Sequence, residues 1–432
     1  MKPADDKEEG VSRRRFLCRG LMAAATAGFA AHGASGATEP AAKGDETAPA
    51  AKTEPFWGAH QGGIVTPLQR NTYFAAFDLT TTERGEVIEM LQAWTAAAAN
   101  MASGQPAEAI GQDDSVPAAD SGEALGLPAT RLTITFGFGA GLFIKDGQDR
   151  YGLAAQRPAA LVDLPRFPGD ELVDGRTGGD LCVQACADDP QVAFHAIRAL
   201  SRLAYNVAQI RWVQTGFTAN FAAGETPRNL MGFKDGTNNP AIADGGLMDK
   251  VIWVGDEGPG WMRGGSYMVA RRIRIALEHW DRMNLAFQEQ TVGRRKYSGA
   301  PLGETGEFDK ADYDATDEDG NSIIPENSHI RLAASANNDG TQILRRPYSY
   351  NDGASFTAER WPPWRQEMEY DAGLFFVCYQ SDPRTGFIKL FDKMSKFDMM
   401  NQFVTHTGGG LFACPGGIVK GEYVGQGLFG KG

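Results

Sequence analysis

The order of elements from Asn71 onward constrains the fold more than any other feature. "NTYFAAFDLT" (71–80) alternates as a strand, "ERGEVIEMLQAWTAAAANM" spaces its apolar residues as a helix does, and "ATRLTITFGFG" and "DLCVQACADD" are again strands. The helix "PQVAFHAIRALSRLAYN", entered through Asp189-Pro190, and the strand "IRWVQTGF" complete the series. That order, β-α-β-β-α-β, is the ferredoxin-like pattern, an antiparallel sheet with helices on one face. It returns less cleanly in the second half. There "GSYMVARRIRIAL" matches the first strand, "GLFFVCYQSD" the third, "PRTGFIKLFDKM" its helix and "GGGLFACPG" the last. Pro190 with Pro383, and Tyr73 with Tyr267, stand at nearly equal separations, which points to a duplication. The expected fold is therefore α+β: two tandem ferredoxin-like domains, 56–222 and 223–432.

The segments ahead of these domains read as an address and a tether. "SRRRFL" followed by "LMAAATAGFAA" has the form of a twin-arginine export signal over 1–37, with an apolar run too short to span a bilayer. Residues 38–55, rich in Ala, Pro, Lys and Glu, lack a periodic apolar face and read as a disordered tether. The expected location is the periplasm or another extracytoplasmic space, reached already folded and with a prosthetic group in place. No other stretch reads as membrane-spanning. The formal charge of the chain is −12, and 1–37 carries six basic and four acidic residues, so the remainder is near −14 and unsuited to nucleic acid. Cys182, Cys186, Cys378 and Cys414 have no CxxC spacing and no nearby His, and read as small buried apolar residues.

Several familiar chemistries fail on inspection. "GFGAGLF" after a strand has Leu142 where a dinucleotide fingerprint needs its third glycine, and no G-x-S-x-G occurs. Two excursions interrupt the repeat, "SGQPAEAIGQDDSVPAADSGEALGLP" in the first half and 293–350 in the second. In the latter, Asp317, Asp319, Gly320 and Glu326 fall on four positions of an EF-hand loop. Ala315 offers no ligand at its first position, and Pro325 opposes a following helix. A solvated acidic loop is the better reading. Asp235, in "NLMGFKDGTNNPAIADGG", reads by itself as a turn residue among glycines and asparagines. Of the histidines, His60, His195 and His279 suit structural or solvated roles, whereas His406, in "FVTHTGGG", is harder to dismiss. His329 stands out in "NSHIRLA", directly after the acidic stretch and ahead of Arg345 and Arg346.

"GFKDG" (232–236), "HIRLA" (329–333) and "ILRR" (343–346), behind a twin-arginine signal, closely resemble the dye-decolorizing peroxidases. Within them the resemblance is to the exported deferrochelatase/peroxidases of bacterial ferrous-iron uptake operons. It extends through "FWGAHQGGIVTP", "TPRNLMGFKDGTNNP", "GGSY", "SGAPLG" and "FFVCYQSDPRTGF". The resemblance implies one heme b per chain, held in the C-terminal domain with His329 as the iron ligand. It implies Asp235 as the acid-base residue on the opposite face, Arg345 as its arginine, and Gly236, Thr237 and Asn238 along the heme edge. Arg294 would meet a propionate. Relatives often continue the histidine motif as Asn-Pro-Arg; here Ala334, Ser335 and Ala336 occupy that place, so the contact from that arginine is missing.

The implied activity is reduction of hydrogen peroxide with oxidation of dyes, phenols or ferrous iron, with partner proteins of iron uptake and a homodimer through sheet edges. The alternatives are a deferrochelatase, which frees iron and leaves the porphyrin intact, and a heme carrier without turnover. A carrier has no use for Asp235 and Arg345. Asp398, Asn401 and Gln402 are all candidates to orient the His329 imidazole.

Overall fold

The computed structural model describes residues 52–430 except 220, 223 and 359–365. The expected signal and most of the expected tether lie outside the described residues. The first half follows the predicted order: β1 (Asn71–Leu79), α1 (Arg84–Ala102), β2 (Thr133–Gly139), β3 (Leu181–Ala187), α2 (Pro190–Leu203) and β4 (Ala208–Phe217). Asp189 starts α2 by accepting from the amides of Gln191 at 2.7 Å and Val192 at 3.2 Å, with Pro190 at the first helical position, where its missing N–H costs nothing. The second half contributes β5 (Ser266–Ile275), α3 (Leu285–Val292), α4 (His329–Ala333), β6 (Leu344–Arg345), β7 (Tyr348–Ala358), β8 (Gln366–Gln380), α5 (Phe387–Phe397) and β9 (Val404–Cys414).

The two halves do not form separate sheets. The strand order is β5-β9-β2-β3-β1-β4-β7-β8-β6, and β5 also pairs with β8, so the sheet closes into a barrel. Within it each half keeps the ferredoxin-like order, β4-β1-β3-β2 and β9-β5-β8-β7, joined edge to edge by β2–β9 and β4–β7. Closure satisfies backbone groups that an open sheet would leave at its edges. The sheet edges expected to serve a dimer are therefore largely used within the chain. Beyond Pro49 the chain is one compact unit, and none of its described helices is long and apolar enough to cross a membrane.

Strand alternation sorts the core into layers. Phe74, Trp212, Met268, Tyr350, Phe375, Tyr379 and Phe412 fill one cluster, while Phe77, Phe136 and Phe138 turn the other way to meet Trp94 of α1 and Leu200 of α2. Each such buried aromatic stabilises the fold by about 1.5–3 kcal/mol relative to exposure. All four described cysteines are free and buried among these layers.

A third, smaller cluster matters most for function. Met231, Phe233, Ile275, Trp280, Val292 and Phe403 pack together with Ile330 and Met400. It binds together the loop that carries Asp235, the helix that begins at His329 and the turn that follows Asp398.

Candidate active site

The backbone around Asp235 is a tight excursion, as the run of Gly and Asn suggests. Gly232 has φ +85° and Gly236 φ +126°, conformations that a side chain would strain. The loop is tied down by the Asp235 amide donating to Pro227 O at 2.8 Å and by Arg228 Nη1 donating to Gly232 O at 2.8 Å. Arg345 arrives from β6, whose pairing with β8 sets Leu344 opposite Tyr379 and Arg345 opposite Cys378. Leu344 and Tyr379 belong to the cluster of Phe74 and Phe412, so the alternation turns Arg345 to the other face of the strand. There Arg345 Nη1 donates to Asp235 Oδ1 at 2.8 Å, with the two side chains 27% and 13% exposed. The Asn239 side chain holds the same strand, accepting from the Arg345 amide at 2.9 Å and donating to its carbonyl at 2.8 Å.

His329 begins α4, which packs against α5. Its Nδ1 lies 2.7 Å from Oδ2 of Asp398, a carboxylate only 3% exposed that also accepts the Met400 amide at 2.8 Å. A buried carboxylate accepts, so Nδ1 carries the proton and Nε2 keeps a free lone pair. Burial alone would lower the imidazole pKa, but the charge and hydrogen bond of Asp398 outweigh it and the net shift is upward. The charges of Arg345 and Asp235 also act on this imidazole, the first lowering and the second raising its pKa, so the pair lies near it. A third of the His329 side chain is exposed.

The other expected residues fall as follows. Arg294 is 9% exposed and donates through Nη1 to the main-chain oxygens of Gly299 at 2.7 Å and Glu307 at 2.9 Å. Burial lowers its pKa, and nearby Arg345 adds to the effect. Gly236 is half-buried, and the Thr237 hydroxyl is given to Glu307 Oε1 at 2.9 Å. Asn238 is exposed. In the turn after α4, Ala334 is buried, Ser335 half-buried and Ala336 exposed. His406, the other candidate ligand, is buried on β9 against the Phe391 ring at 4.6 Å, and its pKa is pushed well down by burial and by Arg271. In the acidic loop the Asp317 carboxylate accepts the amides of Asn321 at 2.8 Å and Asp319 at 3.0 Å, closing a turn. A surface groove of about 700 Å³, lined by Trp57, Gln92, Tyr423 and Gln426, contains none of these groups.

Comparison with known proteins identifies the family. The profile of the Dyp-type peroxidase N-terminal region matches residues 61–218, and that of the C-terminal region matches 226–419. The chain belongs to the Dyp-type peroxidase family. It is 36% identical to a dye-decolorizing peroxidase of Thermobifida fusca, over 99% of both chains. It is also 36% identical to a deferrochelatase of Escherichia coli, over 98% of this chain and 99% of that one. An oxyferrous complex of DtpA from Streptomyces lividans superposes with a TM-score of 0.79 at 41% identity, covering 88% of this chain and 98% of that one.

The protein is thus a heme-dependent peroxidase of the Dyp type. The residues present fit the cofactor: a histidine with a free Nε2 and a carboxylate behind it lies near an ion-paired arginine and carboxylate. Of the three candidates to orient His329, the structure selects Asp398. Asn401 turns its amide to the main-chain oxygens of Met394 at 2.9 Å and Ser395 at 3.1 Å. Two residues escaped sequence reading, Asn239 and Glu307, because each acts on a segment distant in the chain.

Proposed function

We propose that this chain is an exported heme b peroxidase that reduces hydrogen peroxide and oxidises dyes, phenols or ferrous iron, in a role linked to iron acquisition. The heme would be held in the C-terminal half, by His329 through its Nε2 and by Arg294. The observation that carries this reading is the Asp235–Arg345 pair close to the His329–Asp398 pair. Heme, when bound, supplies the electrons that reduce peroxide and regains them from a donor.

The chain's own residues supply the rest. Asp398 holds the His329 ring in one tautomer and makes it a stronger donor to iron. Asp235 takes the proton from the inner peroxide oxygen and delivers it to the outer one, so that water leaves. Arg345 balances the negative charge that develops as the O–O bond breaks. Its hydrogen bond to Asp235 keeps that carboxylate aimed. The twin-arginine motif supports export.

The test is to load the purified protein with heme and mix it rapidly with peroxide. A prompt change of the Soret band, followed by its return when a dye or ferrous iron is added, is the expected result; no change would sink the reading. A second reading, deferrochelatase, is favoured by the relatives of that name at 36% identity. Chromatography of the pigment after turnover separates the two, because only a deferrochelatase leaves metal-free protoporphyrin.

A further inference from the structure

Besides the ties already described, a side chain from outside the loop holds the segment that carries Asp235. Glu307, from the segment between α3 and α4, does so with both carboxylate oxygens. Lys234 Nζ donates to Oε2, and the Thr237 hydroxyl donates to Oε1 at 2.9 Å. These are the residue just before Asp235 and the second residue after it, so the carboxylate straddles the acid. The Glu307 side chain is 9% exposed and that of Lys234 20%, which shields the pair from water and sets it apart from surface ion pairs. Burial would raise the Glu307 carboxyl pKa, but Lys234, Thr226 and Thr237 together lower it, so it is ionised at neutral pH. The main-chain oxygen of the same residue accepts from Arg294 Nη1 at 2.9 Å. One residue therefore meets both the loop of Asp235 and the arginine expected at the heme edge.

We propose that Glu307 is a positioning residue for the peroxide reaction: its carboxylate clamps Lys234 and Thr237 and so sets the aim of Asp235, while its carbonyl ties that loop to Arg294. This rests on the reading of Asp235 as the acid-base residue. A misplaced carboxylate slows proton transfer without altering the group itself. Because Arg294 meets the main chain of Glu307, a side-chain substitution at 307 leaves that tie in place.

The experiment uses the full chain with and without heme, comparing wild type, Glu307→Gln, Glu307→Asp and Asp235→Asn. Glutamine still accepts from Thr237 but offers no charge to Lys234. In the heme-free protein, trypsin cleavage after Lys234 should quicken about tenfold in Glu307→Gln, while cleavage elsewhere is unchanged, as expected for local opening of one loop. With heme bound, the rate constant for peroxide should fall roughly ten- to a hundredfold, and Glu307→Asp, which keeps the charge, should recover part of it. Heme affinity should stay within about twofold of wild type, as for a site whose own contacts are untouched. If Glu307→Gln does not fold, Thr237→Val removes one arm of the clamp and should move both readouts in the same direction by less. Unchanged cleavage after Lys234 in a folded variant overturns the proposal. So does an unchanged peroxide rate alongside a slow Asp235→Asn. If neither variant is slowed, it is the reading of Asp235 that fails.

Discussion

The two halves of the barrel share a strand order and differ in what joins their first strand to their second. In the first half the connection includes α1, a 19-residue helix that lays Val87, Met90, Leu91, Trp94 and Ala98 against the sheet. In the second half the chain between Ile275 and Tyr348 forms no long helix, only short pieces such as α3 and α4 joined by extended loops. The first arrangement fills its face with apolar side chains, and the second carries His329 and Arg345, with Asp235 bonded to Arg345. The first connection thus adds to the core, and the second carries polar residues of the candidate site. Even the shared Asp-Pro step diverges. Asp189 caps α2 directly, whereas the Asp382 carboxylate is bound by its neighbour Arg384 and α5 starts only at Phe387.

If that division holds, substitutions in the second half change the cofactor and its reaction, and those in the first change only stability. The largest effect is expected for His329→Ala, which should abolish stable heme retention in a spectral titration with hemin; full occupancy with an unaltered spectrum would point to another ligand, such as His406. Asp235→Asn should slow the reaction with peroxide by roughly a hundred- to ten-thousandfold in stopped-flow measurements, the range for loss of an acid-base group, with heme content unchanged.

Trp94→Ala tests the other side of the comparison. Trp94 is 1% exposed, donates its indole N–H to Leu200 O at 2.8 Å and packs on Phe77 and Phe136. Its loss should cost about 3–5 kcal/mol by chemical denaturation, while the peroxide rate per bound heme stays at the wild-type value. A comparable loss of rate would mean that the halves are not separable. Asp398→Asn should weaken heme affinity about ten- to a hundredfold, because the imidazole loses the carboxylate that fixes its tautomer.

How far the sequence was legible follows the same line. The strands of the first half alternate plainly, and α1 and α2 carry helical spacing, so their order could be read. In the second half β7 was hidden inside the excursion 293–350 and beyond it, because "RPYSYNDGAS" looks like a turn. The strand survives by a register shift between Asn351 and Ala354, with Gly353 at φ +95°. Closure of the barrel depends on pairs such as Tyr267 with Gln380, which no local pattern announces. At the site, the motifs marked Asp235, His329 and Arg345, since each lies in a distinctive run. Asp398 could not be chosen over Asn401, for both lie just beyond α5 and only the folded position of His329 decides. Asn239 and Glu307 do their work on partners 106 and 70 residues away, and their residue types alone suggest surface polarity.

The smallest expected effect lies in the first half and depends on pH. His195 is buried on α2, with Nε2 3.4 Å from Asp120 and Nδ1 3.3 Å from Glu123, and Arg198 reaches Glu123 at 3.2 Å. These contacts pin the excursion that replaces a short connection between α1 and β2. Burial would raise the Glu123 carboxyl pKa, but local hydrogen bonds and the neighbouring His195 bring it down to about 2, from an ordinary 4.5. A carboxyl depressed in the folded state contributes its full stabilisation above the unfolded value and loses it as the pH falls toward the folded one. Wild type should therefore exceed Glu123→Gln in thermal midpoint at about pH 5, and the margin should shrink steadily down to about pH 3. The peroxide rate of the two proteins should agree throughout. A margin that persists undiminished at the acid end would show that Glu123 holds its loop by shape rather than by charge, whereas a shift in the peroxide rate would carry the first half into the chemistry of the second.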